Sequence, residues 1–542
     1  MRRIAYLLLA EIDVNHVGTG ALARPSRAKL GSCLRPRQLR IAGVVLIAAL
    51  FLSMIASALA ETRPHYGGTL HVMLQSSPSA LDLPPNATPA EYWDLARTLS
   101  LIGDTLVRID TQGRAQPALA VAWQVDASAS SMHWQFTLRR GVKFHDGSAA
   151  TPAAIAQILG ALHSGWIVRA SADSITIDTS TPMLSLLAEL ALPRNLLLKR
   201  NAKGLPIGTG PFLVADWQPQ QLLKLAANEE SWEGRPFVDA VEIEFGKPLR
   251  DQAIALELGK TDVIEEPPQA ASGSQPHNAS SLSLSLSLPM ELLALVFPAN
   301  SRANDPRLRE ALALAIDRKP IQSVLLKGAG EPATSILPNW MTGYSAVYSA
   351  QANPKEARSL LAGSRQPVAN PTYDLSYDPR DPQAQLIAER IALNAREVGI
   401  TVQVSLSGTE DIRLVRVVLP SPDPATSLSE AARQLGLPQP AFSGSDALED
   451  LYQAERVSIE ANAVIPLFHL PVATAFSARA RDWSLDRTGA WNAAQLSLAD
   501  FWLRDQRLSD RRSTDQRSPN QRPTDQRSAV PRADLSAQAG SR

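Results

Sequence analysis

The chain has 542 residues, too many for one hydrophobic core, and its 53 Lys+Arg against 53 Asp+Glu give zero net charge. No basic field argues for a nucleic-acid partner, and 40 prolines with 29 glycines point to many turns rather than a helical bundle. The lone cysteine, Cys33, excludes an internal disulfide, and eight scattered histidines offer no His-x-x-x-His or His-Glu pair for zinc.

Residues 1–60 read as targeting. Arg35, Arg37 and Arg40 precede an apolar run from Ile41 to Leu52 that continues to Ala60, and Ala58-Leu59-Ala60 before Glu61 is a small-x-small cleavage site. Ile41 to Ala60 is also just long enough to span a bilayer, so an uncleaved anchor is the rival reading. Leu30-Gly31-Ser32-Cys33 has the look of an acylation box, but no adequate apolar run precedes the cysteine.

The mature domain opens at His65 with a strand, Gly67 to Val72, and a proline-rich loop, Ser79 to Pro89. Trp93, Leu95, Leu99 and Ile102 recur at helical spacing from Glu91 to Ile102. Trp134, Phe136 and Leu138 alternate as a half-buried strand, with Val142 and Phe144 as the expected return of a hairpin closed at Asp146-Gly147. Thr151-Pro152 then caps a helix. Ser174 to Asp178 alternates as another strand, and Gly208-Thr209-Gly210-Pro211 is a turn needing glycine.

Ala270 to Leu288 is low-complexity, and its Ser-Leu alternation predicts a strand with one apolar face after a flexible lead-in. Asp305-Pro306 starts a helix burying Leu308, Leu312, Ala315 and Ile316, and Asn353-Pro354 starts another. Tyr373 to Tyr377, a helix opened by Asp381-Pro382, and Ile400 to Leu406 form a βαβ unit, which implies parallel strands. After Leu503 the pattern is polar and repetitive (Thr-Asp-Gln-Arg-Ser), too poor in apolar surface to pack, so residues 504–542 are expected to be disordered.

No nucleophile elbow or phosphate loop occurs, and Pro211 forbids the helix a dinucleotide loop needs. His145-Asp146 reads as a turn whose histidine packs or hydrogen-bonds. No catalytic set, metal ligands or cofactor site emerges, and a hydrolase would need residues assembled from distant loops.

Leu119 to Trp123, Asp126 and the run Leu138 to Thr151 (LRRGVKFHDGSAAT) closely resemble the signature of the bacterial extracellular solute-binding proteins of family 5, the peptide- and nickel-binding subunits of ABC importers. Gly208 to Phe212, the Asn228, Trp232, Gly234, Pro236 series, DPRLREALALAIDRKPI from Asp305, and Val464 to Phe468 follow in the family's order. The resemblance implies an α/β, two-lobed periplasmic-binding-protein-like fold (type II, cluster C) with an extra α+β domain. Residues 61–80, 166–280 and 465–503 would form lobe I, 81–165 the extra domain and 281–464 lobe II. It implies a monomer outside the cytoplasm, in the periplasm, that binds a peptide or other small molecule in an inter-lobe cleft and serves an ABC permease complex in the inner membrane. A membrane-anchored sensor or scaffold keeping the fold is the alternative.

The resemblance also nominates ligand contacts. Val417 and Val418 would form the cleft strand, faced by the loop Leu83 to Thr88 with Asn86 and Thr88, and Trp340 is either core or a ligand platform. Pro420 stands where peptide-binding relatives carry the aspartate that pairs a peptide amine, leaving Asp423 or Asp411 as substitutes. A neutral or N-blocked solute is the consequence drawn from that gap.

Export carries the first prediction. N-terminal sequencing of the protein from the cell envelope is expected to start at or near Glu61. A start upstream of Ile41 would instead identify a retained anchor.

Overall fold

A computed structural model describes residues 66–498, apart from 85–86, 111, 127–132, 180–182, 184, 268–282, 344–350, 363–371, 407–409, 441, 443–446 and 461. The targeting segment with Cys33, Asn86, the lead-in to residue 282 and the tail at 504–542 lie outside the described residues. Among the described residues no helix is long and apolar enough to cross a membrane.

Two long strands organise the chain. Ser283–Val296 and Val464–Phe476 run antiparallel in the middle of an 11-stranded sheet. Val263–Glu266 pairs with the last residues of the second long strand and leads outward through Thr69–Met73, Ala240–Glu244, Leu222–Ala227 and Phe212–Gln218. Ile412–Val418 pairs with the last residues of the first and leads to Thr372–Ser376 and Thr401–Val404. The two halves of the sheet therefore hang from opposite ends of one strand pair. Midway, Pro289 faces Pro471, and the register slips on both sides of Pro289. Proline brings no N–H to a ladder, so the pairing is thinnest at that point.

Each half has its own core. Leu70, Val72, Phe212, Leu225 and Ile243 centre the first, and Leu375, Ile387, Ile391, Leu312 and Phe468 the second. The expected βαβ unit is present: Thr372–Ser376 and Thr401–Val404 are parallel, with helix Ala384–Glu397 between them. Thr151 and Asp305 cap helices Pro152–Leu162 and Pro306–Ala315 through their side chains.

Three expectations are corrected. Strand His133–Leu138 buries Trp134, Phe136 and Leu138, but its partners are Ala120–Asp126 and Ser174–Thr179, not a Val142–Phe144 return. Val142 and Phe144 insert into the core beside it from a turn. That four-stranded sheet also includes Trp166–Ala170, so the strands between 166 and 179 join Ala120–Asp126 and His133–Leu138 rather than the large sheet. In the Ser-Leu stretch no single apolar face turns inward: Ser287 Oγ accepts from Val472 N at 2.9 Å and Ser285 Oγ from Leu485 N at 2.9 Å, while Ser283 and Leu284 are both exposed.

The two glycine-bearing motifs lock together. His145 N donates to the Gly208 carbonyl at 2.9 Å and its Nε2 to the Gly210 carbonyl at 3.0 Å. Gly208 must be glycine because a Cβ there would lie 2.1 Å from the Ile102 carbonyl oxygen. His145 is thus structural, although its partner is 63 residues away rather than local.

His469 on the second long strand is buried, and its Nε2 donates to the Ile336 carbonyl at 3.1 Å. Burial lowers its pKa from 6.5 to about 4. The unfolded chain takes up this proton below 6.5 and the native state only below about 4. The neutral imidazole's contribution is therefore complete above pH 6.5 and lost as pH falls towards 4, on the order of 3 kcal/mol. His469→Gln is expected to flatten the fall of melting temperature across that window, and an identical slope in both proteins would contradict this origin.

Candidate functional site

Between the two halves of the large sheet, in front of the strand pair, lies a cleft of about 1430 Å³. Gln75, Ser76, Glu265 and Glu266 line it from the first half, and Asp378 to Pro382 with Arg413 to Val417 from the second. Helix Pro89–Ile102 forms a third wall, and Leu162 and His163 at the end of helix Pro152–Leu162 and Trp166 of the four-stranded sheet complete it.

The residues nominated by sequence divide. Thr88 and Val417 line the cleft, Thr88 also capping helix Pro89–Ile102 by accepting from Glu91 N. Val418 is fully buried one layer behind, against Trp93 and Met290. Trp340 packs on the same cluster and donates from Nε1 to the Pro289 carbonyl at 3.1 Å, bracing the strand pair without lining the cleft. Asp423 is taken up as a helix cap, its Oδ2 accepting from Thr426 N at 2.9 Å. Asp411 is buried and tied to Arg302 and to Asp374 N. Neither candidate substitute for the missing aspartate faces the cleft.

Sequence reasoning missed the charges that do. Among the described residues nine carboxylates and six guanidiniums line the cleft, more acid than base. Arg416 donates from Nε to Asp381 at 2.6 Å and from Nη1 to Glu291 at 3.3 Å. Burial works against the Arg416 charge, but the two carboxylates outweigh it and raise its pKa. Burial pushes Glu291 up, with Arg416 opposing. Arg194 binds Glu189 on its own side and reaches Glu430 of helix Pro424–Leu435, on the second half, at 2.6 Å. Gln75 Nε2 donates to the Arg380 carbonyl at 2.9 Å. These two contacts bridge the cleft and hold the halves together at its rim.

The wall made by helix Pro89–Ile102 differs. Asp94 and Arg97 are almost wholly buried, yet neither forms an ion pair among the described residues. Arg97 spends Nε on the Gly489 carbonyl at 2.8 Å and lies over the Trp93 ring. Asp94 Oδ2, Arg97 Nη2, Trp93 Nε1, Tyr92 OH and Ser76 Oγ are all buried without a partner, and all five residues line the cleft. An unmet buried polar atom costs about 1–3 kcal/mol, so native chains concentrate few of them. Burial, then the Glu265 charge, holds the Asp94 carboxyl well above the usual carboxylate range. The signal in the sequence was Asp94 and Arg97 three apart on a helix with no stripe left for solvent. Amphipathic reading assigns such a pair to the wet face.

Among the described residues no group of three or more His, Cys, Asp or Glu is arranged to hold a metal ion.

Residues 166–417 match the model of the bacterial extracellular solute-binding proteins, family 5 Middle. The chain is 22% identical over 325 residues to the nickel-binding protein NikA of Staphylococcus aureus, spanning 57% of this chain and 65% of that protein. It is 25% identical over 411 residues to the probable di/tripeptide-binding protein 5 of Pseudomonas aeruginosa, spanning 65% and 75%. Among solved structures, Staphylococcus aureus NikA in complex with Ni(L-His)2 aligns with a TM-score of 0.68 at 17% identity, over 80% of this chain and 100% of that one. Bacillus subtilis AppA in complex with a nonapeptide aligns with a TM-score of 0.68 at 16% identity, over 81% and 100%. The fold is that of the two-lobed periplasmic binding proteins of type II, cluster C.

Replacing Arg416 strands two largely covered acids, Glu291 and Asp381, at 12% and 13% side-chain exposure. Arg416→Met is expected to cost about 3–5 kcal/mol in urea unfolding. Adding Glu291→Leu is expected to recover part of it, and a neutral Arg416→Met would show that Glu291 and Asp381 are not held by this guanidinium.

Proposed function

We propose that this chain, which belongs to the bacterial extracellular solute-binding proteins of family 5, is the extracytoplasmic substrate-binding subunit of an ABC importer. It captures a peptide-like or other small solute in the cleft, closes about the long strand pair, and hands the solute to a permease complex in the inner membrane. The observation that carries this reading is the 1430 Å³ cleft lined from both halves. A solute touching both walls favours the closed arrangement over the open one by its differential contacts, which is what makes capture a signal.

The cleft exceeds the ~300–1,000 Å³ common for small-molecule sites, so a short peptide fits. Its one lining histidine, His163, bonds Asn195 at 2.5 Å and stacks on Trp166. With that imidazole engaged, an organic solute is favoured over a bare metal ion. Thr88 and Val417, which line the cleft, are the residues read from the sequence that would touch it.

Mass spectrometry of small molecules released by denaturing the protein purified from the cell envelope tests the reading. A stoichiometric small solute is expected. A protein that releases none, and whose melting temperature no peptide or metabolite raises, would contradict solute capture.

A further inference from the structure

The family resemblance leaves no acid at Pro420, and the acids that line the cleft come from elsewhere in the chain. Glu265 is already satisfied by Gln75 N and by Gln252 Nε2 at 3.1 Å, and Glu291 by Arg416. Asp94 alone of these buried acids offers an oxygen with no partner. One helical turn further on, Arg97 offers an unspent N–H, and Trp93 Nε1 offers another. An oxygen and two donors, each buried without a partner, thus lie within about one turn of one helix whose residues line the cleft.

We propose that Asp94, Arg97 and Trp93 form the subsite for a protonated amine of the solute, together with an oxygen close to that amine. The ammonium seats on Asp94 Oδ2, and the neighbouring carbonyl or carboxylate oxygen accepts from Arg97 Nη2 and Trp93 Nε1. An amino acid and the first residue of a peptide both carry this pair of groups. The inference rests on the solute-binding reading above and deepens it, and it replaces the neutral or N-blocked solute expected from Pro420 alone. The acid excess of the lining favours the same sign of ligand charge. Arg97 is fixed through Nε to Gly489, so its free N–H is held in place before the solute arrives.

The test uses the full protein and its Asp94→Asn variant, which keeps the side chain's shape and removes the acid that an ammonium would pair with. Both are titrated with alanine, trialanine and N-acetyl-trialanine, and the small molecules each releases on denaturation are treated with an amine-reactive label before mass spectrometry. The solute released by the unsubstituted protein is expected to take the label. Alanine or trialanine is expected to bind at least tenfold more tightly than N-acetyl-trialanine, and that preference is expected to vanish in Asp94→Asn. A preference for alanine over trialanine would assign the subsite to free amino acids, the reverse to peptides. A released solute with no amine, or an amine preference that survives Asp94→Asn, overturns the proposal. Were the variant not to fold, the label on the solute of the unsubstituted protein decides alone. A protein that releases nothing and binds no probe fails the solute-binding reading itself.

Discussion

The pairing of Ser283–Val296 with Val464–Phe476 is the constraint on which the rest depends. Each strand is long enough to serve two cores, and each ends in a different half of the sheet. Where they cross from one half to the other, Pro289 and Pro471 oppose each other and the ladder loses donors on both strands. The halves are thus joined by continuous backbone but little cross-strand bonding at the join, a geometry that lets them move without unfolding either core. Trp340 steadies the join from behind by its bond to the Pro289 carbonyl.

Closure then has a local chemistry. Arg194 to Glu430 and Gln75 to Arg380 span the rim with one ion pair and one neutral bond. A part-exposed ion pair contributes little, about 0–1 kcal/mol, so the rim biases the halves together without sealing them. The larger stabilisation has to come from what fills the cleft. The unmet atoms of helix Pro89–Ile102 belong to residues that line the cleft, and leaving them unmet has a cost.

Much of the fold was legible because it is written locally. Thr151-Pro152, Asp305-Pro306 and the apolar period of Leu312, Ala315 and Ile316 each specify a cap or a stripe within a few residues. The site was less legible because its groups are joined only by tertiary structure. Asp381 reads as a helix cap beside Pro382, yet helix Ala384–Glu397 starts later and the Asp381 carboxylate is shared between Gln383 N and Arg416. Asp423 reads as a free acid and is a cap. The Ser-Leu alternation gave the strand but not the burial of its faces, since that depends on Val472 and Leu485 supplying donors to the serines. The strand that carries Val417 lines the cleft, while the charged wall opposite lies in a helix whose polar residues an amphipathic reading assigns to solvent.

The central claim is that the two halves close on a solute about the paired strands. Its most direct measurement is a spin–spin distance between labels at Lys203→Cys and Glu389→Cys, exposed positions on opposite halves, first in protein stripped of small molecules and then after the released fraction is returned. The account predicts a longer, broader distribution in the stripped protein that contracts to a single shorter distance on refilling. An unchanged distribution in the two states would contradict it.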